Sequence, residues 1–274
     1  MTLPAWLSVV RGDAPLLLSM PHAGTELAGL ESRFVSPWLA RRDTDWWIPE
    51  VYSFAAELGV TVVRTRISRS VIDVNRDPSG QSLYPGQATT GLCPSTTFDG
   101  EALYPPGNEP TDADIEARRG EFFDPYHAAL NTELARLRAQ HPRVVLYDCH
   151  SIRSVIPRLF DGVLPVFNLG TNSGASADAQ LTAQVQEVLQ GSGQSHVVNG
   201  RFRGGWITRS HGQPAQGLHA LQMEMACRAY MPEPEGPPTQ NNWPTAFDPV
   251  AASRTRDTLR QVLQAALDWA RATL

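Results

Sequence analysis

Lysine is absent from this 274-residue chain; all 23 of its basic residues are arginine. Without an amine side chain the protein forms no lysine Schiff base, uses no lysine general base and builds no Walker-type phosphate loop. Any side-chain cation in a binding site must come from arginine, whose planar fork grips carboxylates in a bidentate way, or from histidine. Cysteine is scarce too: Cys93, Cys149 and Cys227 are too few and too scattered for a disulfide framework. No apolar run approaches the length that spans a bilayer. The opening Met1-Thr-Leu-Pro-Ala-Trp6 has neither a basic region nor a long apolar stretch. These absences lead us to expect a reducing, cytoplasmic setting. Positive charge is in deficit, and a net charge of −5 argues against nucleic acid or an anionic membrane as a general partner.

What remains is an ordinary globular composition, 42% hydrophobic and 19% charged. Short apolar runs alternate with amphipathic stretches, with no internal repeat and no low-complexity linker. We expect one domain over residues 1–274, of α/β class, with helices on both faces of a central sheet.

The informative stretch is Val144-Val-Leu-Tyr-Asp-Cys-His-Ser151. Its apolar start reads as a buried strand, and it delivers Asp148, Cys149 and His150 at the strand's carboxyl end, where open α/β sheets bind ligands. A turn-capping Asp148 and a satisfied core His150 are the bland alternative. A second histidine, His22, follows the apolar run Pro15-Leu-Leu-Leu-Ser19 in the turn Met20-Pro-His-Ala-Gly24. Two histidines at separate strand exits fit a metal site, which gathers ligands from different elements.

Residues 38–58 read as a helix broken into two pieces at Pro49, and either Asp43 or Asp45 is expected to cap it. The other aspartate is then a candidate ligand. After a strand at 60–63, Arg64, Arg66, Arg69 and Arg76 alternate with apolar residues and meet Asp73 and Asn75, a mixture that suits a small-anion pocket. The Pro- and Gly-rich stretch 77–112 is expected to be an ordered covering loop. A helix over about 113–140, interrupted at Pro125, leads into the central strand. Further strands are expected within 164–170 and at 197–198, with a helix over 176–190 between them. Residues 200–217 are Gly-rich and basic. In Leu218-His-Ala-Leu-Gln-Met-Glu-Met225 the alternation of Leu221, Met223 and Met225 with Gln222 and Glu224 is strand-like and isolates a carboxylate on the polar face. A final amphipathic helix spans 249–274, with Val250, Leu259, Val262, Leu263, Ala266 and Trp269 inward.

Two histidines and a carboxylate make a catalytic zinc set with an open position, and a further carboxylate serves as proton shuttle. The ligands lie far apart in sequence and form no compact motif.

The sequence resembles the N-formylglutamate amidohydrolases. The stretches that carry this are Ser19–Gly24, Arg42–Trp46, Ser68–Pro78, Leu83–Gly86, Asp148–Ser151, Gly204–Arg209 and His219–Glu224, which run in the family's order along nearly the whole chain. Asp73-Val-Asn-Arg76 is also similar to the Asp-Leu-Asn-Arg segment of the aspartoacylases, in the broader zinc carboxypeptidase-like group. The resemblance implies a three-layer phosphorylase/hydrolase-like α/β fold with a central mixed sheet. It implies zinc-dependent hydrolysis of N-formyl-L-glutamate to formate and L-glutamate, in histidine degradation. Carried over by motif, His22 and His150 are metal ligands with Asp45 as the third, chosen over Asp43 and Glu26. Glu224 is the general base, Arg69 an oxyanion contact, and Asn75, Arg76 and Arg209 hold the substrate carboxylates. One Zn2+ per chain is implied, another divalent metal being an alternative, with a small dicarboxylate as the partner. The chain departs from the family's pattern at Trp47 and at Ser210-His211-Gly212, where the family has histidine and His-Tyr-Gly. Competing readings are a zinc-dependent deacylase of another N-acyl acidic amino acid, a metal-free hydrolase built on Cys149, and a non-catalytic binder of acidic amino acids.

Overall fold

The apolar run ending at Asp148 is the middle strand of a seven-stranded mixed sheet. The computed structural model describes residues 3–83 and 86–272. Its strands are β1 (Leu7–Val10), β2 (Leu16–Met20), β3 (Thr61–Thr65), β4 (Val144–Ile152), β5 (Phe167–Gly170), β6 (His196–Val198) and β7 (Leu218–Ala226), in the spatial order β1-β3-β2-β4-β7-β5-β6. The inner strands β3, β2, β4 and β7 run parallel, whereas β1 and β5 pair antiparallel with their inner neighbours and β6 runs parallel to β5. The helices are α1 (Pro37–Arg41), α2 (Ile48–Val51), α3 (Asp112–Arg118), α4 (Asp124–Arg138), α5 (Ala179–Gly191), α6 (Trp206–His211) and α7 (Pro249–Arg271). None is long and apolar enough to cross a membrane.

Strand alternation divides the core into two layers. Val145, Tyr147 and Cys149 of β4, with Leu221, Met223 and Met225 of β7, pack against α5 and α7. Val144, Leu146 and Ala220 face the opposite layer, where α4 contributes Leu130, Leu134 and Leu137. On this second face each central strand changes character partway along its length. Val144 and Leu146 give way to Asp148 and His150, and Leu218 and Ala220 to Gln222 and Glu224, with His150 opposite Glu224 in the register. The sheet thus carries a polar patch on one face only, at the carboxyl ends of its parallel strands.

Local chemistry sets the helix ends. Thr111 and Asp114 form a reciprocal capping box at α3, and the Asp248 carboxylate accepts the Val250 and Ala251 N–H groups ahead of α7. Several expectations need correction. Residues 37–58 form three short pieces rather than two, because Trp47 adopts a left-handed conformation (φ 62°) before α2, and a 3₁₀ turn follows it. Neither Asp43 nor Asp45 caps a helix there; Trp47 occupies the cap position of α2 without a side-chain bond. The long helix is interrupted just before Pro125: a π-helical turn at 119–123 joins α3 to α4, and the N–H that proline lacks falls at this junction. Val250 points outward, 84% exposed. Helix α6 lies inside a stretch whose glycines conceal it from sequence periodicity. Tyr84 and Pro85, within one of the motif stretches, lie outside the described residues, as do the last two residues of the expected terminal helix.

Candidate active site

The polar patch becomes a site because three loops bring further groups onto it. His22 follows β2 directly, and its carbonyl accepts the Asp45 N–H at 3.0 Å, which docks the loop after α1 onto the strand exit. Asp45 Oδ2 in turn accepts the Ser151 N–H of β4 at 3.1 Å. The result is a tight cluster. His150 Nδ1 lies 3.1 Å from His22 Nδ1 and 3.2 Å from Asp45 Oδ2, and His22 Nδ1 lies 3.7 Å from the same oxygen. All three side chains are buried, and one ligand atom from each falls within 4.8 Å of the others.

The far nitrogen of each ring faces a carboxylate, and that of His150 also lies 3.0 Å from Asn75 Nδ2. His22 Nε2 is 2.7 Å from Asp73 Oδ1, and His150 Nε2 is 2.7 Å from Asp148 Oδ2. A carboxylate beside Nε2 holds the proton there and leaves Nδ1 as a lone pair. Two ring lone pairs and a carboxylate oxygen therefore converge on one point. Such a set is self-repelling alone and matched by a divalent cation, and two nitrogens with one oxygen form a zinc-type donor set. The residues fit a metal.

Asp73 and Asp148 are the groups that sequence reasoning passed over as orienting partners. Each sits inside a motif already noted, but only the fold brings it to a histidine ring. Asp73 also accepts the Arg69 guanidinium at 2.7 Å and the Asn75 N–H at 2.9 Å. Burial alone would raise its carboxyl, yet Arg76, His22 and Arg69 hold it well below the usual range. Burial likewise opposes ionisation of Asp45, but the adjacent His22 and His150 keep that carboxyl low.

Beside the cluster opens a cavity of about 70 Å³. His22, His150 and Glu224 line it; Arg69, Arg76 and Arg201 supply positive charge; Phe98 and Phe202 supply apolar wall. Glu224 is 7% exposed, and burial pushes its carboxyl up to about 8 although His150 and Arg69 pull the other way. The Arg69 guanidinium lies 4.7 Å above the Phe98 ring. Ala88, Thr89, Thr90 and Phe98 come from the 77–112 stretch, so the expected covering loop does border the site.

The remaining candidates fall in different places. Asn75 reaches the cavity, but its amide is engaged at both ends: Oδ1 accepts the Ile207 N–H at 2.8 Å and Nδ2 donates to Asp148 Oδ2 at 3.2 Å. Arg76 lines the wall, held by the Thr90 carbonyl and hydroxyl. Arg209 Nε donates to the Gly204 carbonyl at 2.9 Å, and among the described residues Arg201 lines the cavity. Asp43 accepts the Phe98 N–H at 2.7 Å, and Glu26 pairs with Arg66 near the surface, so neither joins the cluster. His211 stacks on His127, with their nitrogens 3.0 Å apart, away from the cavity. Cys149 points into the opposite core layer, and burial pushes its thiol well above the ordinary value. A nucleophilic thiolate is disfavoured there.

Comparison with known proteins agrees with this geometry. The family model described as N-formylglutamate amidohydrolase matches residues 14–231. N-formylglutamate deformylase of Pseudomonas aeruginosa is 46% identical over 267 residues, 97% of each chain, and that of Pseudomonas putida is 46% identical over 265 residues, 96% of each. The crystal structure of an N-formylglutamate amidohydrolase from Ralstonia eutropha JMP134 has the same fold, with a TM-score of 0.79 at 23% identity over 98% of this chain and 99% of that one. The match extends through every strand that supplies a group to the cluster, and on that ground the chain belongs to the N-formylglutamate amidohydrolase family.

Proposed function

We propose that this protein hydrolyses N-formyl-L-glutamate to formate and L-glutamate at a zinc centre held by His22, Asp45 and His150. The observation that carries the reading is the convergence of three acceptor atoms, each His backed by its own carboxylate, beside an isolated buried glutamate and an arginine-lined wall. The two Pseudomonas deformylases, similar along the whole chain, point to the substrate.

A divalent cation at the cluster supplies Lewis acidity toward water and toward the formyl carbonyl. The chain's own groups do the rest. Glu224 takes a proton from the attacking water as the new C–O bond forms. The ionised carboxylate accepts that proton, and the same oxygen returns it to the departing nitrogen as the C–N bond breaks. Arg69, fixed by Asp73 and Phe98, faces the oxygen that gains charge in the tetrahedral state. The cations Arg76 and Arg201 match a substrate with two carboxylates, and they account for a basic pocket in an acidic protein. Asn75 completes the site by holding Asp148. The confined wall around Gly205 and Phe98 favours a small acyl group.

Steady-state kinetics with N-formyl- and N-acetyl-L-glutamate, and with N-formyl-L-aspartate, test the reading. Preferred turnover of N-formyl-L-glutamate is expected; equal or better turnover of the acetyl compound would move the activity to another N-acyl amino acid.

A further inference from the structure

Backbone donors of one short segment orient two buried amides at the cavity. Residues 204–207 pass so close to Asn75 that a Cβ on Gly205 would lie 2.5 Å from its amide. Glycine therefore lets the backbone itself reach both side chains. The Ile207 N–H donates to Asn75 Oδ1 at 2.8 Å, and the Gly205 N–H donates to Gln222 Oε1 at 2.7 Å. An N–H must meet oxygen, so both NH2 groups are turned the other way. The Asn75 NH2 is used by Asp148. The Gln222 NH2 meets no partner among the described residues, although Gln222 is 4% exposed and forms part of the cavity wall. An amide donor that meets only the cavity is open to a ligand that supplies an acceptor there.

Its position specifies the acceptor. Gln222 precedes Glu224 by two residues on the same face of β7, a displacement of about 7 Å along the strand. A donor this far from the proton shuttle is well placed for a group several bonds from the scissile amide. Arg76 lies on the wall of the same cavity. We propose that Gln222 is a substrate-binding residue, its Nε2–H donating to a carboxylate oxygen of the dicarboxylate substrate. The assignment rests on the deformylase reading and adds a contact to it.

Two substitutions read together separate the donor from the acceptor. In Gln222→Glu a carboxylate oxygen still accepts the Gly205 N–H, but the NH2 is replaced by an oxygen that repels an anion. Gln222→Met removes the donor without adding charge but also removes the acceptor of the Gly205 N–H, a loss that Gln222→Glu does not share. For both variants the expected result is a KM for N-formyl-L-glutamate raised about 10-fold or more. Competitive inhibition by L-glutamate should weaken by a similar factor, with kcat nearly retained in Gln222→Met and zinc content unchanged. An unchanged KM and unchanged glutamate inhibition in folded Gln222→Met would overturn the proposal. So would a fall in kcat alone, since that places the donor at the reacting carbonyl. Wild-type protein that releases no formate would instead refute the deformylase reading itself.

Discussion

At the scale of single residues, the site is a set of buried charges made tolerable by one another. Each histidine is oriented by a carboxylate, each carboxylate is held by an arginine, an amide or a backbone N–H, and the ring lone pairs are left to converge. Orienting partners of this kind typically contribute 10–100-fold to metal affinity. Asp148→Asn and Asp73→Asn should therefore bind zinc about 10–100-fold more weakly, which competition with a chromogenic chelator measures directly. Asn75→Ala should lose affinity in the same direction, because it releases Asp148. Glu224→Gln should retain the metal yet lose about 100-fold or more in kcat. Cys149→Ala should stay active, its side chain belonging to the opposite layer. His22, His150 and Glu224 were legible in the sequence as polar residues ending apolar strands. Asp73 and Asp148 were visible as motif members, but their partners lie 51 and 2 residues away, and only the fold distinguishes a carboxylate that orients a ring from one that caps a turn.

At the scale of elements, the parallel strands are what bring groups distant in sequence into register. β4 and β7 each change from apolar to polar on one face at the same level, so packing and chemistry share the same strands. Leu146→Ala, at a position 1% exposed, should lower stability by about 2–5 kcal/mol. Asp248→Ala, which removes the α7 cap, should cost about 1 kcal/mol and leave kcat unchanged. Chemical denaturation separates the two. The strands and the long helices were readable from periodicity. Residues 37–58 were not, because Trp47 is left-handed and its indole N–H reaches the Thr245 carbonyl, a tertiary contact no local pattern announces. Helix α6 was hidden for a related reason: its first turn is docked by Asn75 and its approach by Gln222, rather than by a sequence-local cap.

At the scale of the whole molecule, a net-negative protein keeps positive charge at the mouth of one cavity, on one face of one sheet, under a loop that supplies Phe98 and the Thr89–Thr90 wall. The absence of lysine made the arginine character of that pocket foreseeable. The place of each arginine was not, since Arg201 and Arg209 belong to the same basic stretch and no local pattern marks Arg201 for the cavity wall. The central claim is that formate release depends on a metal held by His22, Asp45 and His150. Its most direct test measures bound metal and formate release together, on protein purified without chelator, then stripped, then reloaded. About one zinc per chain is expected, with activity lost on stripping and restored by metal, and neither binding nor activity in His150→Ala. Formate release that persists at full rate in metal-free protein would contradict it.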